Sequence, residues 1–133
     1  MLVSRVRRRG AEAIEFALSL PILLMIMAGI IDFGWFATHQ SAVHGAATYG
    51  ARAGSITPQD QDPLSAAHLA AERALADQRV ENAVVNATFV PLGTGEQAIE
   101  VQVDAPYSGL WGFVPLPVDY RGLAVRRMNE QPD

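Results

Sequence analysis

Between Phe16 and Ala37 the chain runs for 22 residues with a single charge, Asp32. At about 1.5 Å rise per residue a helix over this stretch extends about 33 Å, enough to cross a hydrocarbon core of about 30 Å. No other feature restricts the fold as strongly. Once this segment is assigned to a membrane, only a small domain can be built from the residues after it, and a core of that size leans on a neighbouring element. Pro21 lies early in the span. Lipid-embedded helices tolerate proline, with a kink or local loosening expected near it.

Charge is distributed to match. Arg5, Arg7, Arg8 and Arg9 precede the span, in a stretch of ten residues without an acid. The remainder carries six arginines, no lysine and fourteen acids. Positive residues stay on the cytoplasmic side, so the arginine cluster predicts the N-terminus inside and residues after about 38 outside. An acidic outer domain is unsuited to binding nucleic acid, which needs a basic folded surface. The absence of cysteine excludes a disulfide framework and a thiolate metal site.

The helical pattern continues past the span through Thr38–Ala53, with breakers arriving only at Gly54-Ser55 and Thr57-Pro58. Ala46, Gly50 and Gly54 recur every four residues as a narrow stripe, and Gly50 with Gly54 forms the spacing that lets backbones approach closely. Two readings stay open: packing against other helices, or a helix laid on its own domain. Residues 55–63 read as a loop, with Asp62 as N-cap and Pro63 as first residue of a second helix to about Gln78. That helix is expected to bury Leu64, Ala67, Ala71 and Leu75.

After Glu81 the period falls to two. Val85, Ala87 and Phe89 form one inward set, and Ile99, Val101 and Val103 another across a turn at Gly93-Thr94-Gly95, which predicts a hairpin. A loop rich in proline and aromatics follows, in which Trp111 and Phe113 are expected as plugs of the small core; exposed, they would mark a contact surface. A third strand is predicted over Val118–Met128, with Gly122 as a bulge, and the tail Asn129–Asp133 is expected to fray. The predicted fold class is α+β: a long N-terminal transmembrane helix extending out of the membrane, a second short helix and a three-stranded antiparallel sheet.

Chemistry-bearing constellations are sparse. His39, His44 and His68 do not share one helix face with a carboxylate pair, so no metal site is expected. No phosphate-cradling glycine loop, nucleophile elbow or escorted serine is present, and neither an enzyme nor a cofactor is expected. Asn86-Ala87-Thr88 matches a glycosylation sequon but falls inside a strand. A secretory signal peptide would need a shorter apolar core ending at a small-x-small cleavage site. Here the core is longer and opens on Glu12 and Glu15.

The informative stretch is Arg7-Arg8-Arg9-Gly10-Ala11-Glu12-Ala13-Ile14-Glu15-Phe16. An acid near the bilayer centre costs roughly 2.5–3.5 kcal/mol, less toward the ends, and no cation in the span offsets it. A cut after Gly10 would supply one, the new α-amine of Ala11. The pattern resembles a type IV prepilin processing site. The longer run through Ala17-Leu18-Ser19-Leu20-Pro21, then Asp32-Phe33-Gly34, then Ala46-Ala47 and Gly50-Ala51-Arg52-Ala53, resembles the TadE family of minor pseudopilins from tight-adherence (Tad, Flp-type) pili.

The resemblance covers about 9–54 and implies a pilin-like fold. It also implies a leader 1–10 removed by a prepilin peptidase, a transmembrane and extended helix over 11–54, and a periplasmic domain over 55–133. Gly10, Ala11, Glu15 and Phe16 would form the processing site, Glu15 pairing with the N-terminal amine of a neighbouring subunit, a register-setting role. Glu15, Pro21, Asp32, Gly50 and Gly54 would be subunit-packing positions, Asp32 being otherwise an interfacial acid. The implied partners are the peptidase, other Tad pseudopilins, the Flp major pilin and the assembly platform of the bacterial inner membrane. Trp35 follows Asp-Phe-Gly where many relatives carry a basic residue. A different class of protein, a membrane-tethered periplasmic binding module, shares the anchor but needs no processing.

Overall fold

The computed structural model describes residues 3–93, 96–107, 109–111 and 119–128, with side chains described from Gly10 onward. Its five main elements are, in chain order, α1 (Val3–Ile56), α2 (Pro63–Asp77), β1 (Val84–Pro91), β2 (Gln97–Pro106) and β3 (Asp119–Arg127), with a 3-10 turn over Gln59–Gln61 between the helices. The protein is α+β, with a long apolar N-terminal helix, a second short helix and an antiparallel sheet of three strands in the order β1-β2-β3.

Two compact units divide the chain. The first holds the described residues of Met1–Trp35 and Gly109–Pro115. The second holds those of Phe36–Ser108 and Leu116–Asp133.

In the first unit the helix carries the apolar span. Its 54 residues in all exceed the roughly 20 needed to cross a bilayer, and the assignment continues through Pro21 without a break. None of its most apolar window is buried. A helix in the core of a soluble protein would hide that surface. Ile14, Phe16, Leu18, Ile22, Met25 and Ile30 all lie open. The helix is long and apolar enough for a membrane anchor.

The second unit is assembled on its own stretch of α1, from Phe36 onward. Val43, Ala46, Ala47 and Ala51 recur at helical spacing and are buried against Ala67, Ala71 and Leu75 of α2 and Ile99, Val101 and Val103 of β2. Most of these side chains are small, so the elements sit close. Asp62 starts α2 as expected, its carboxylate accepting the Ser65 N–H at 3.3 Å, with Pro63 at the first helical position. Asp62 itself adopts φ 52°, a left-handed conformation for which short polar side chains are the usual non-glycine choice. The buried face of α2 is Pro63, Ala67, Ala71 and Leu75, so Pro63 takes the place expected of Leu64.

β2 is the central strand and its inward residues Ile99, Val101 and Val103 are fully buried. On β1 the inward alternation holds for Val85 and fades outward: Ala87 is half-buried and Phe89 exposed. Gly93 has φ 79°, the left-handed conformation a tight turn requires; Thr94 and Gly95 lie outside the described residues, as do Val118 and the tail from Asn129.

Gly122 is not a bulge. The β2–β3 register is unbroken, with Val103 opposite Gly122. The glycine is needed because α1 passes directly behind it: a Cβ there would lie 2.6 Å from the Val43 carbonyl oxygen and 3.0 Å from His44 Cα. Gln40 reinforces the contact by donating from Nε2 to the Arg121 carbonyl at 2.8 Å. Below it, the rings of Phe36, Tyr107 and Tyr120 meet at centroid distances of 5.4–5.9 Å, with His39 stacked on Tyr120 at 5.8 Å. Such pairs contribute about 0.5–1.5 kcal/mol each beyond their buried area.

Candidate processing site and helix interface

Gly10, Ala11, Glu15 and Phe16 all lie on α1, and every one is exposed. A Cβ at Gly10 would meet nothing within 4 Å. Glycine inside a helix costs about 0.5–1 kcal/mol relative to alanine, and no described contact within the chain calls for it here. A glycine that the fold does not require is consistent with selection by something outside the fold.

Ala11 and Glu15 stand four residues apart and therefore share a helix face. No described side chain forms an ion pair with the Glu15 carboxylate; the Ser19 hydroxyl donates instead to its main-chain carbonyl at 2.8 Å. In the intact helix the acid sits several turns from the terminus. With Ala11 as first residue, Glu15 would sit about one turn from a helix N-terminus, where free N–H groups and the helix dipole favour an anion by about 0.3–1 kcal/mol.

The other candidate positions divide between the two units. Pro21 is exposed on the bare part of α1. Asp32 is fully buried, and its Oδ1 accepts the main-chain N–H of Trp111 at 3.2 Å, both residues belonging to the first unit. The acid is thus covered within its own chain. Sequence patterning missed this bond because its partners are 79 residues apart. Trp111, expected as a core plug, has 54% of its surface exposed; Phe113 lies outside the described residues.

Gly50 and Gly54 both pack closely within the chain. A Cβ at Gly50 would come 2.8 Å from the Ala67 carbonyl oxygen. One at Gly54 would come 2.9 Å from both the Pro63 carbonyl oxygen and the Ala67 Cβ. Both glycines therefore face α2 of the same chain. The close approach foreseen from their spacing is real, but it is intramolecular.

On the sheet face away from the helices, Asp104 and Arg121 are directly opposed across β2 and β3 and bond at 2.8 Å. Gln102 donates to the other carboxylate oxygen at 2.6 Å. The Arg121 hydrogen bond holds the Asp104 carboxyl below its ordinary value; burial opposes it, and the Gln102 hydrogen bond and the Arg121 charge add to it. Burial raises the Tyr120 phenol. Among the described residues no group of histidines and acids is placed to hold a metal ion.

The class defined by these observations is an α+β protein with one long apolar helix suited to anchoring it in a membrane. Within that class, residues 10–52 match the family model described as TadE-like protein, so this segment, which contains Gly10, Glu15, Pro21, Asp32 and Gly50, is TadE-like. That likeness implies involvement in Tad pilus systems, and the family is not one of enzymes. No curated protein and no solved structure gave a significant match.

Proposed function

We propose that the chain is a minor pseudopilin of a Tad (Flp) pilus. It is inserted in the inner membrane with its N-terminus cytoplasmic and its α+β domain periplasmic, and a prepilin peptidase cuts it between Gly10 and Ala11. The mature helix then packs with other pseudopilins and the Flp major pilin at the assembly platform. The observation that carries this reading is Gly10 and Glu15 together, exposed at processing spacing at the start of the TadE-like match. The bare face of α1 from Gly10 onward supports it, since that face is free to meet lipid before assembly and other helices after it.

The proposed cut reverses the electrostatics of Glu15. Before it, the carboxylate is an acid at the edge of the span with no ion-pair partner among the described side chains. After it, a neighbouring subunit's α-ammonium can pair with that acid, and the pairing fixes the axial offset between helices. The test is the N-terminal residue and intact mass of the membrane-extracted protein. A mature chain beginning at Ala11 is expected; any other start refutes the assignment. Glu15→Ala should leave insertion unchanged and reduce piliation, and normal pili in that variant would remove the proposed role.

A further inference from the structure

Asp32 lies about 24 Å along the helix from Phe16, close to where a span entering at Phe16 leaves the hydrocarbon. An acid at that depth is expensive unless covered. The Trp111 N–H bond to Asp32 does two things at once. It gives the carboxylate a hydrogen-bond donor and pairs a main-chain N–H that could not enter an apolar layer unpaired, and it holds residues 109–111 at the height of Asp32. At that height Leu110 and Trp111 are 44% and 54% exposed, and Phe33 and Trp35, which follow Asp32 along α1, are also open. Both tryptophans of the chain are therefore gathered at one end of the span.

We infer that residues 109–111 are a second membrane contact, with Leu110 and Trp111 seated in the headgroup boundary of the leaflet that α1 exits. Lipid is the occupant because the exposed loop residues are tied at Asp32 to the end of a helix whose apolar window is bare. Tryptophan is moreover the side chain enriched at that boundary, its ring apolar and its indole N–H polar. Asp32 is the positioning residue that ties the loop to the helix. The inference rests on α1 crossing a membrane and is independent of any role in a pilus.

Single-tryptophan variants of the full chain, Trp35→Phe and Trp111→Phe, test it in phosphatidylethanolamine–phosphatidylglycerol vesicles whose acyl chains are brominated near the headgroup. The expected result is that Trp111 fluorescence is quenched by the brominated lipid at least half as strongly as that of Trp35. Adding Asp32→Ala should cut the quenching of Trp111 at least twofold and leave Trp35 unaffected. Quenching of Trp35 alone, with Trp111 open to aqueous iodide, overturns the loop contact. Blue-shifted Trp111 emission without bromine quenching also overturns it, since the occupant is then protein. If neither tryptophan is quenched, the spanning helix itself is refuted. Unchanged Trp111 quenching in the Asp32→Ala chain refutes the anchoring by Asp32.

Discussion

Replacing Gly122 by alanine is the sharpest probe of how the sheet is held on α1. The new Cβ would lie 2.6 Å from the Val43 carbonyl oxygen, 2.9 Å from the Val43 carbonyl carbon and 3.0 Å from His44 Cα. All three atoms are main chain in the middle of α1, so no flexible side chain can swing aside. Forcing an extra carbon into such a seam costs typically 1–3 kcal/mol, here toward the upper end. Alanine returns about 0.4–1 kcal/mol by restricting the unfolded chain. The net destabilisation is about 2 kcal/mol, a fall in Tm of about 8–16 °C for a domain of this size. Near-UV circular dichroism of the full chain in mild detergent reads the melting through the Tyr107–Tyr120 cluster. Gly45→Ala is the matched control, because a Cβ there meets nothing within 4 Å, and it should be neutral or stabilising by about 0.5–1 kcal/mol. A Gly122→Ala protein that melts with the parent, or above it, would refute the close approach of β3 to α1.

Three further outcomes are expected. Gly54→Ala should destabilise by about 1–3 kcal/mol in chemical denaturation, since its Cβ would strike the Pro63 carbonyl and Ala67 within the chain; unchanged stability with impaired assembly would instead return that glycine to a subunit interface. Asp62→Ala removes the α2 cap and the short polar side chain that favours φ 52°, for a loss of about 1–2 kcal/mol, whereas Asp62→Asn should be close to neutral by the same denaturation midpoint. Asp104, held low by Arg121, contributes stability that is fully present above the ordinary carboxylate range and is lost as pH falls through its depressed folded value. Melting of Asp104→Asn should therefore change less than the parent on acidification below about pH 4, and identical acid profiles would exclude the contribution.

Periodic features were legible from the residues and tertiary ones were not. The apolar span, the Asp62-Pro63 start of α2 and the β2 alternation of Ile99, Val101 and Val103 each express a local rule of spacing or capping, and all three hold. Phe89 shows where such a rule weakens: it keeps its place in the register, opposite Ile99, yet lies beyond the helices' cover. Gly122 signalled that something unusual occurs in β3, but glycine serves both a bulge and a close approach, and only the position of α1 decides between them. The stripe at Gly50 and Gly54 was ambiguous for the same reason, as small residues announce proximity without naming the neighbour. Asp32 was the hardest to place. Nothing local joins it to Trp111, and an acid at the end of a span is compatible with solvent, a partner or its own chain. For Gly10 and Glu15 the sequence motif remains more informative than the fold, which leaves both exposed.

Three dents in the main chain fix the sheet and α2 on residues 43–54 of α1: Gly122 over Val43 and His44, Gly50 under Ala67, and Gly54 against Pro63. Each tolerates only hydrogen at its deepest point, so sliding along the helix or turning about it would drive a β-carbon into peptide backbone. A tensile load carried by this stretch of helix must therefore be borne as shear across a tightly keyed joint. The joint yields by breaking its backbone contacts together, and it cannot creep one residue at a time.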